Sequence, residues 1–229
     1  LNSQLITKDY DNGMITMTVD EMLVPRKLYK LTIEYNGFIF DGPHRGGVVS
    51  NHNYYEFNGK KGWIFSTDFE AGPGARTLMP CADEPAYKAI VKMSVRHPAD
   101  LTALSNMMDS GTDIKENGWA ITTYEESPPM SAYLIAISVG HFSALTTVSK
   151  TGVLTRAYSW TGMEKYLDYT LMVMAGSIDY MSTYFDYPFP LKKLGLWDSS
   201  FPGFFGILEP GDFQPLRIPK DPLKYSETF

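Results

Sequence analysis

The feature that most constrains this chain is a change of hydrophobic period. Through the first 150 residues or so, apolar and polar side chains alternate in stretches such as MITMTVDEML (14–23), KLYKLTIEYNGFIF (27–40), AIVKMSVRHP (89–98), WAITTYEE (119–126) and YLIAISVGHFSAL (133–145). A period of two puts alternate side chains on opposite faces of an extended segment, so these stretches predict strands. Asn-Gly pairs in YDNG (10–13), EYNG (34–37) and YYEFNGKKGWIFST (54–67) supply the positive-φ residues of tight turns, and the last reads as a hairpin around Asn58-Gly59. DGPHRGGVVSNHN (41–53) and AGPGART (71–77) read as loops.

After Thr151 the period lengthens. Met163, Tyr166, Leu167, Thr170, Leu171, Met174, Ile178 and Met181 recur every three or four residues, which predicts an amphipathic helix. Thr161 and Glu164 form a capping-box pattern at its start, and the two prolines of DYPFPL stop it. The methionines are read as core packing. The fold class is therefore mainly β, with a helix-bearing second part.

Charge and composition narrow the function. The net charge is −6 and the pI about 5.2, which leaves no basic footprint for nucleic acid. A single cysteine, Cys81, allows no intrachain disulfide and is read as a small buried hydrophobe. No signal-peptide pattern opens the sequence and no apolar run approaches the ~20 residues of a membrane span. The four histidines, His44, His52, His97 and His141, lack metal-ligand spacing. His97 is read as a surface turn residue and His141 as a strand end. Asp83 and Glu84 are adjacent and so face different sides, which suits a turn or cap better than joint acid–base work.

The segments FSTDFEAGPGARTLMPCADEPAYKA, HPADLTALSNM, SPPMSAYLIAISVGHFSA and YMSTYFDYPFPLKKLGLW occur in an order that resembles the M1 zinc aminopeptidases of the aminopeptidase N type, over roughly Trp63 to Pro210. The resemblance implies an N-terminal β-saddle or sandwich domain over residues 1–151, lacking its first strands. It implies that 152–229 begin an α+β thermolysin-like catalytic domain. Both ends read as cut, and a sheet short of strands would leave open edges for a partner or for self-association.

The family carries a Gly-Ala-Met-Glu-Asn exopeptidase motif, matched here by Gly206, Ile207, Leu208, Glu209 and Pro210. Its Glu binds the free α-amine of the substrate and its backbone lines the peptide, so Glu209 is expected to be amine-binding. Pro210 in place of Asn removes a backbone N–H where the family holds substrate. A second amine-binding acid of the family is matched by Glu70, in Thr67-Asp68-Phe69-Glu70, where Asp68 replaces a neutral Gln.

The family's Tyr-Arg-Glu is matched by Leu216, Arg217 and Ile218, and its His-Glu-x-x-His is absent from the 229 residues. The family's cofactor is zinc; no metal ligand and no catalytic residue is assigned in this chain. The implied function is binding of peptide N-termini, or of a protein partner, by a non-catalytic homologue. The alternatives are a portion of an active zinc aminopeptidase and an interaction module with no retained site. The resemblance allows a cell-surface or a cytoplasmic location; no Asn-x-Ser/Thr acceptor occurs.

Overall fold

The computed structural model describes residues 3–9, 14–19, 22–37, 55–57, 60–62, 64–67, 69, 74–198 and 205–207. It is mainly β, and its contacts divide into two units, Leu1–Phe38 and Ile39–Phe229.

The first unit contains β1 (Ser3–Asp9) and β2 (Met14–Val19), paired antiparallel with Asp9 opposite Met14. The strand expected over 27–40 does not form in its described part: residues 22–37 carry no strand and their side chains are exposed. Alternation makes a segment competent to be a strand, but a strand needs a ladder partner for its N–H and C=O groups. Residues 22–37 have none among the described residues.

In the second unit, β3 (Tyr55–Phe57) and β4 (Lys60–Gly62) form the hairpin expected around Asn58-Gly59, with Phe57 opposite Lys60. The next strands, β5 (Ile64–Ser66), β6 (Ser94–Pro98), β7 (Thr102–Ser105), β8 (Asp109–Lys115), β9 (Trp119–Tyr124) and β10 (Ile137–Gly140), make two antiparallel sheets, ordered β5-β10-β7 and β6-β9-β8. Then follow β11 (Phe142–Val148), β12 (Leu154–Trp160), the helix α1 (Leu167–Tyr184), β13 (Lys193–Asp198) and β14 (Phe205–Ile207). The third sheet is ordered β11-β12-β13-β14, with β13 parallel to β12. Helix α1 is the crossover between these two parallel strands, the connection that parallel pairing requires.

The helix buries Leu167, Leu171, Met174 and Ile178, four of the expected apolar positions. The first three pack with Ala157 of β12, and Leu145, Leu194 and Leu196 close the cluster. Tyr166 and Met181 are exposed instead. The capping box also differs. A short 3-10 turn over Glu164–Tyr166 precedes α1, and Glu164 accepts from the Gly162 N–H rather than capping with Thr161. Thr161 instead lies 3.4 Å from the Ser143 hydroxyl. At the other end of the sheet, Asp179 of α1 accepts the N–H groups of Lys150 and Thr151, each at 3.0 Å, and fastens the helix to the β11–β12 turn.

Candidate functional site

The segment that carries Asp68 and Glu70 leaves β5. Ile64, Phe65 and Ser66 pair with Gly140, Val139 and Ser138, and the Ser66 and Ser138 hydroxyls meet at 2.9 Å in the interior. Thr67 extends the attachment: its N–H donates to Ile137 O at 3.0 Å, and its hydroxyl accepts the Ile137 N–H at 2.9 Å. Phe69, 2% exposed, is buried among Ala75, Met130, Ala132 and Ile135. Gly74 lies so close that a Cβ there would sit 2.8 Å from the Phe69 Cα. Thr67 and Phe69 are thus fixed on either side of Asp68. Asp68 and Glu70 themselves lie outside the described residues, as do His44, His52, Leu208, Glu209 and Pro210.

The other half of the expected site begins on β14. Leu196, Trp197 and Asp198 pair with Ile207, Gly206 and Phe205. Gly206 and Ile207 therefore sit on the outermost strand of the third sheet, whose far side carries no strand among the described residues.

The family-like segments between these halves are structural. Asp83 is buried, and its Oδ2 accepts from the Arg76 backbone N–H at 3.0 Å and from Arg76 Nε at 3.1 Å. Glu84 is exposed, 3.5 Å from the same guanidinium. The turn role expected for Asp83 holds. Asn106 spans the lead into β10, donating to Leu134 O at 2.8 Å and accepting from the Ala136 N–H at 2.9 Å.

Two expectations are corrected. Cys81 is exposed, not buried; it lies in the irregular chain after the Ala75–Thr77 turn, outside the core clusters. Its thiol is held above its ordinary value by desolvation and then by the Asp83 charge, with Arg76 pulling the other way, so it is no activated nucleophile. His97 is 3% exposed, not a surface residue. β6 is paired along β9, and the His97 ring bonds Thr122 Oγ1 through Nε2 at 2.9 Å and Pro98 O through Nδ1 at 2.8 Å. His141 stands between β10 and β11, the strand end expected of it.

Sequence reasoning missed a cationic seam. Lys193, 5% exposed, donates its ammonium to Met107 O at 2.8 Å and Ser105 O at 3.2 Å. Arg156 pairs with Asp109 at 2.9 Å and Lys192 with Glu125 at 2.9 Å. All three cations come from β12, β13 or the residue before β13; every acceptor comes from residues 105–125. Burial lowers the Lys193 ammonium to about 8, with Asp109 opposing that shift and Arg156 adding to it. The signal was present in KLGLWD: if Trp197 faces the core, period two places Gly195 and Lys193 on the same side.

Residues 2–134 match the family model described as the Peptidase M1 N-terminal domain. The chain belongs to the M1 peptidase family. Among relatives of this M1 chain, the "Putative aminopeptidase-2" of Caenorhabditis elegans is 52% identical over 190 residues, 82% of this chain and 10% of that protein. "Aminopeptidase M1" of Arabidopsis thaliana is 36% identical over 174 residues, covering 76% of this chain and 19% of the relative. "Glutamyl aminopeptidase" of Mus musculus is 31% identical over 168 residues, covering 73% and 17%. This M1 chain thus spans between 10% and 19% of the length of these three relatives.

The family is one of zinc metallopeptidases. Among the described residues, no group of three or more His, Cys, Asp or Glu is placed to hold a metal ion. They do not fit zinc, and no chemical step through it is derived for them.

Proposed function

We propose that this chain grips the free N-terminus of a peptide, as the substrate-end-binding part of the M1 fold, and that the 229 residues alone do not hydrolyse the peptide bond. Glu70 and Glu209 receive the α-ammonium, where charge-assisted hydrogen bonds fix the register at the first residue. The peptide runs in extended form beside β14. The observation that carries this reading is the place of Gly206 and Ile207 on the strand that is outermost among the described residues, since backbone groups on a sheet edge can accept another strand. The missing His-Glu-x-x-His supports the second clause, since a metal-activated water needs its ligands and general base. Asp68 would add a third carboxylate, attracting a cation while repelling its neighbours.

The test compares a short peptide carrying a free N-terminus with its acetylated form. Glu209→Gln is expected to weaken the free form by about tenfold or more and the acetylated form little, since a hydrogen bond to a charged group contributes ~1.5–3 kcal/mol. Equal weakening of both removes the amine site.

A second reading is favoured by the names and lengths of the relatives. In it the chain is a portion of an active zinc metalloaminopeptidase that removes N-terminal residues, and residues 152–229 open its thermolysin-like domain. Reading the gene beyond Phe229 for a His-Glu-x-x-His about thirty residues past Pro210 decides between the two. Finding that motif, with zinc-dependent release of N-terminal residues, overturns the non-catalytic reading.

A further inference from the structure

Helix α1 is apolar on two opposite sides. One side seats Leu167, Leu171, Met174 and Ile178 in the core. The other carries Tyr169, Met172, Val173, Tyr180 and Tyr184, which are 72%, 62%, 45%, 64% and 69% exposed. A surface helix needs one apolar stripe, and a helix apolar all round is ordinarily buried. The charges of α1 are Asp168 and Asp179. Both fall to one flank of the outer stripe, and Asp179 is already engaged by the Lys150 and Thr151 N–H groups.

The stripe is also large and ordered. Tyr180 and Tyr184 stack with centroids 6.0 Å apart, and Phe185 meets Tyr184 edge-on at 5.1 Å. At ~150–250 Å² per aromatic, Tyr169, Tyr180, Tyr184 and Phe185, each exposed by about two thirds, present roughly 500 Å². Met172 and Val173 bring the face above the ~300–600 Å² of a monomer's largest patch and close to the ~800 Å² that each partner of a standard interface buries.

The pattern of the stripe says what fits it. Gly176 lies at its middle, exposed, and a Cβ there would meet nothing within 4 Å. Glycine inside a helix costs about 0.5–1 kcal/mol relative to alanine, and nothing in this chain's own packing requires it. Val173 and Tyr169 stand three and seven residues before Gly176; Tyr180 and Tyr184 stand four and eight after it. The stripe therefore nearly matches its own reversal. Laid antiparallel on a second copy, with the two Gly176 backbones at the crossing, Tyr169 falls opposite Tyr184 and Val173 opposite Tyr180, each within about 1.5 Å along the axis. Such self-complementarity is what a two-fold interface requires, and an unrelated partner has no reason to share it.

We propose that the outer face of α1 is a self-association surface, and that its occupant is α1 of a second copy of this chain, packed antiparallel across Gly176. The proposal is independent of the amine-binding reading: it uses none of the acids of that site and lies on the side of α1 turned away from the third sheet.

The experiment is sedimentation velocity of the 229-residue chain. The parent is expected to pass from monomer to dimer between about 1 and 100 μM, since interfaces of standard size have dissociation constants from micromolar downward. Val173→Lys and Tyr180→Glu change exposed positions, so both variants should keep the parent's circular dichroism, and each is expected to weaken association about tenfold or more. An equimolar mixture of the two is expected to recover the dimer, because antiparallel packing sets the introduced ammonium of one copy against the introduced carboxylate of the other, whereas parallel packing does not. Ile114→Lys, at an exposed position of β8, is expected to associate as the parent does. A parent that stays monomeric through this range overturns the proposal and leaves the face to further polypeptide, such as the longer relatives contain, or to another protein. Association that survives both Val173→Lys and Tyr180→Glu also overturns it, and its loss in Ile114→Lys then places the contact on a sheet edge. A mixture that fails to recover the dimer overturns the antiparallel pairing.

Discussion

The buried ammonium of Lys193 makes a prediction whose sign differs from that of an ordinary surface lysine. Lys193→Met keeps the length of the side chain and removes both the charge and the two donations to Ser105 O and Met107 O. At neutral pH the group is protonated whether the chain is folded or not, and the fold bears the cost of burying it. With the folded group lowered to about 8 and the unfolded one near its ordinary 10.5, the folded state sheds its proton first as pH rises. The unfolded state then binds more protons, so stability rises with pH across this window. Linkage gives about 2 kcal/mol gained between pH 7 and 9.5 and almost nothing below pH 7. The neutral amine still has two N–H groups for the two carbonyls, so those bonds persist while the desolvation cost disappears.

In Lys193→Met the pH-dependent gain is absent, and the carbonyls lose their donor at every pH, at about 1–3 kcal/mol for each acceptor left unsatisfied. The variant should therefore lie closest to the parent at pH 7 and fall a further ~2 kcal/mol behind it by pH 9.5. Urea unfolding of both proteins at the two pH values measures this, because the difference between them cancels every other titrating group to first order. A gap that stays constant, or narrows with pH, refutes the assignment of a depressed Lys193.

Three further expectations test other parts of the structure. Gly74→Ala drives a Cβ to 2.8 Å from the Phe69 backbone, which is too rigid to yield. It should cost about 1–3 kcal/mol by overpacking and weaken binding of free N-termini through the Asp68–Glu70 segment, and a variant with unchanged melting contradicts the close approach. The Tyr124 hydroxyl is buried without a hydrogen-bond partner among the described residues, beside a cavity of about 10 Å³ lined by Met93, Ser105 and Ser127. Tyr124→Phe should leave stability unchanged or raise it by ~1 kcal/mol, whereas a loss on chemical denaturation shows that the hydroxyl is satisfied by water in that cavity. Cys81 should react with iodoacetamide more slowly than free cysteine at pH 7.5 despite its exposure, because desolvation and Asp83 disfavour its thiolate; reaction at the free-cysteine rate rejects this.

What was legible in the sequence is what local periodicity decides. Leu167, Leu171, Met174 and Ile178 had to share a helix face, and the strands flanking Asn58-Gly59 had to bring Phe57 opposite Lys60. Where the outcome depends on distant partners, the pattern was silent. Residues 27–37 alternate as regularly as β9, yet among the described residues only β9 has neighbours, β6 and β8. His97 was read from the proline beside it, but Thr122 across the ladder decided its burial. Cys81 was read from the average habit of free cysteine, and the irregular chain around it left it exposed. Of the candidate site, motif resemblance located the acids in sequence. The elements that hold their segments, β5 under Thr67 and β13 beside Gly206, emerge only from long-range pairing.

The same pairing bears on how a two-part division near Thr151 can work. That position lies in the turn between β11 and β12, which pair over their whole length from Phe142–Trp160 to Val148–Leu154. Gly152, at φ +89°, gives the turn a conformation other residues rarely adopt, and Asp179 clamps its N–H groups from the helix. If residues before and after this point are separate domains, they divide a β-ladder between them. Their relative placement is then set by hydrogen bonds along β11 and β12, by Trp197 among Ile64 and Leu104, and by the Arg156, Lys192 and Lys193 contacts. An ion-pair seam alone would loosen with salt, since exposed pairs such as Lys192–Glu125 are screened. A ladder and a packed indole would not. Raising ionic strength should therefore change the melting temperature of the full chain little, and a marked salt-dependent loss would place the control of this boundary in the cations rather than in the ladder and Trp197.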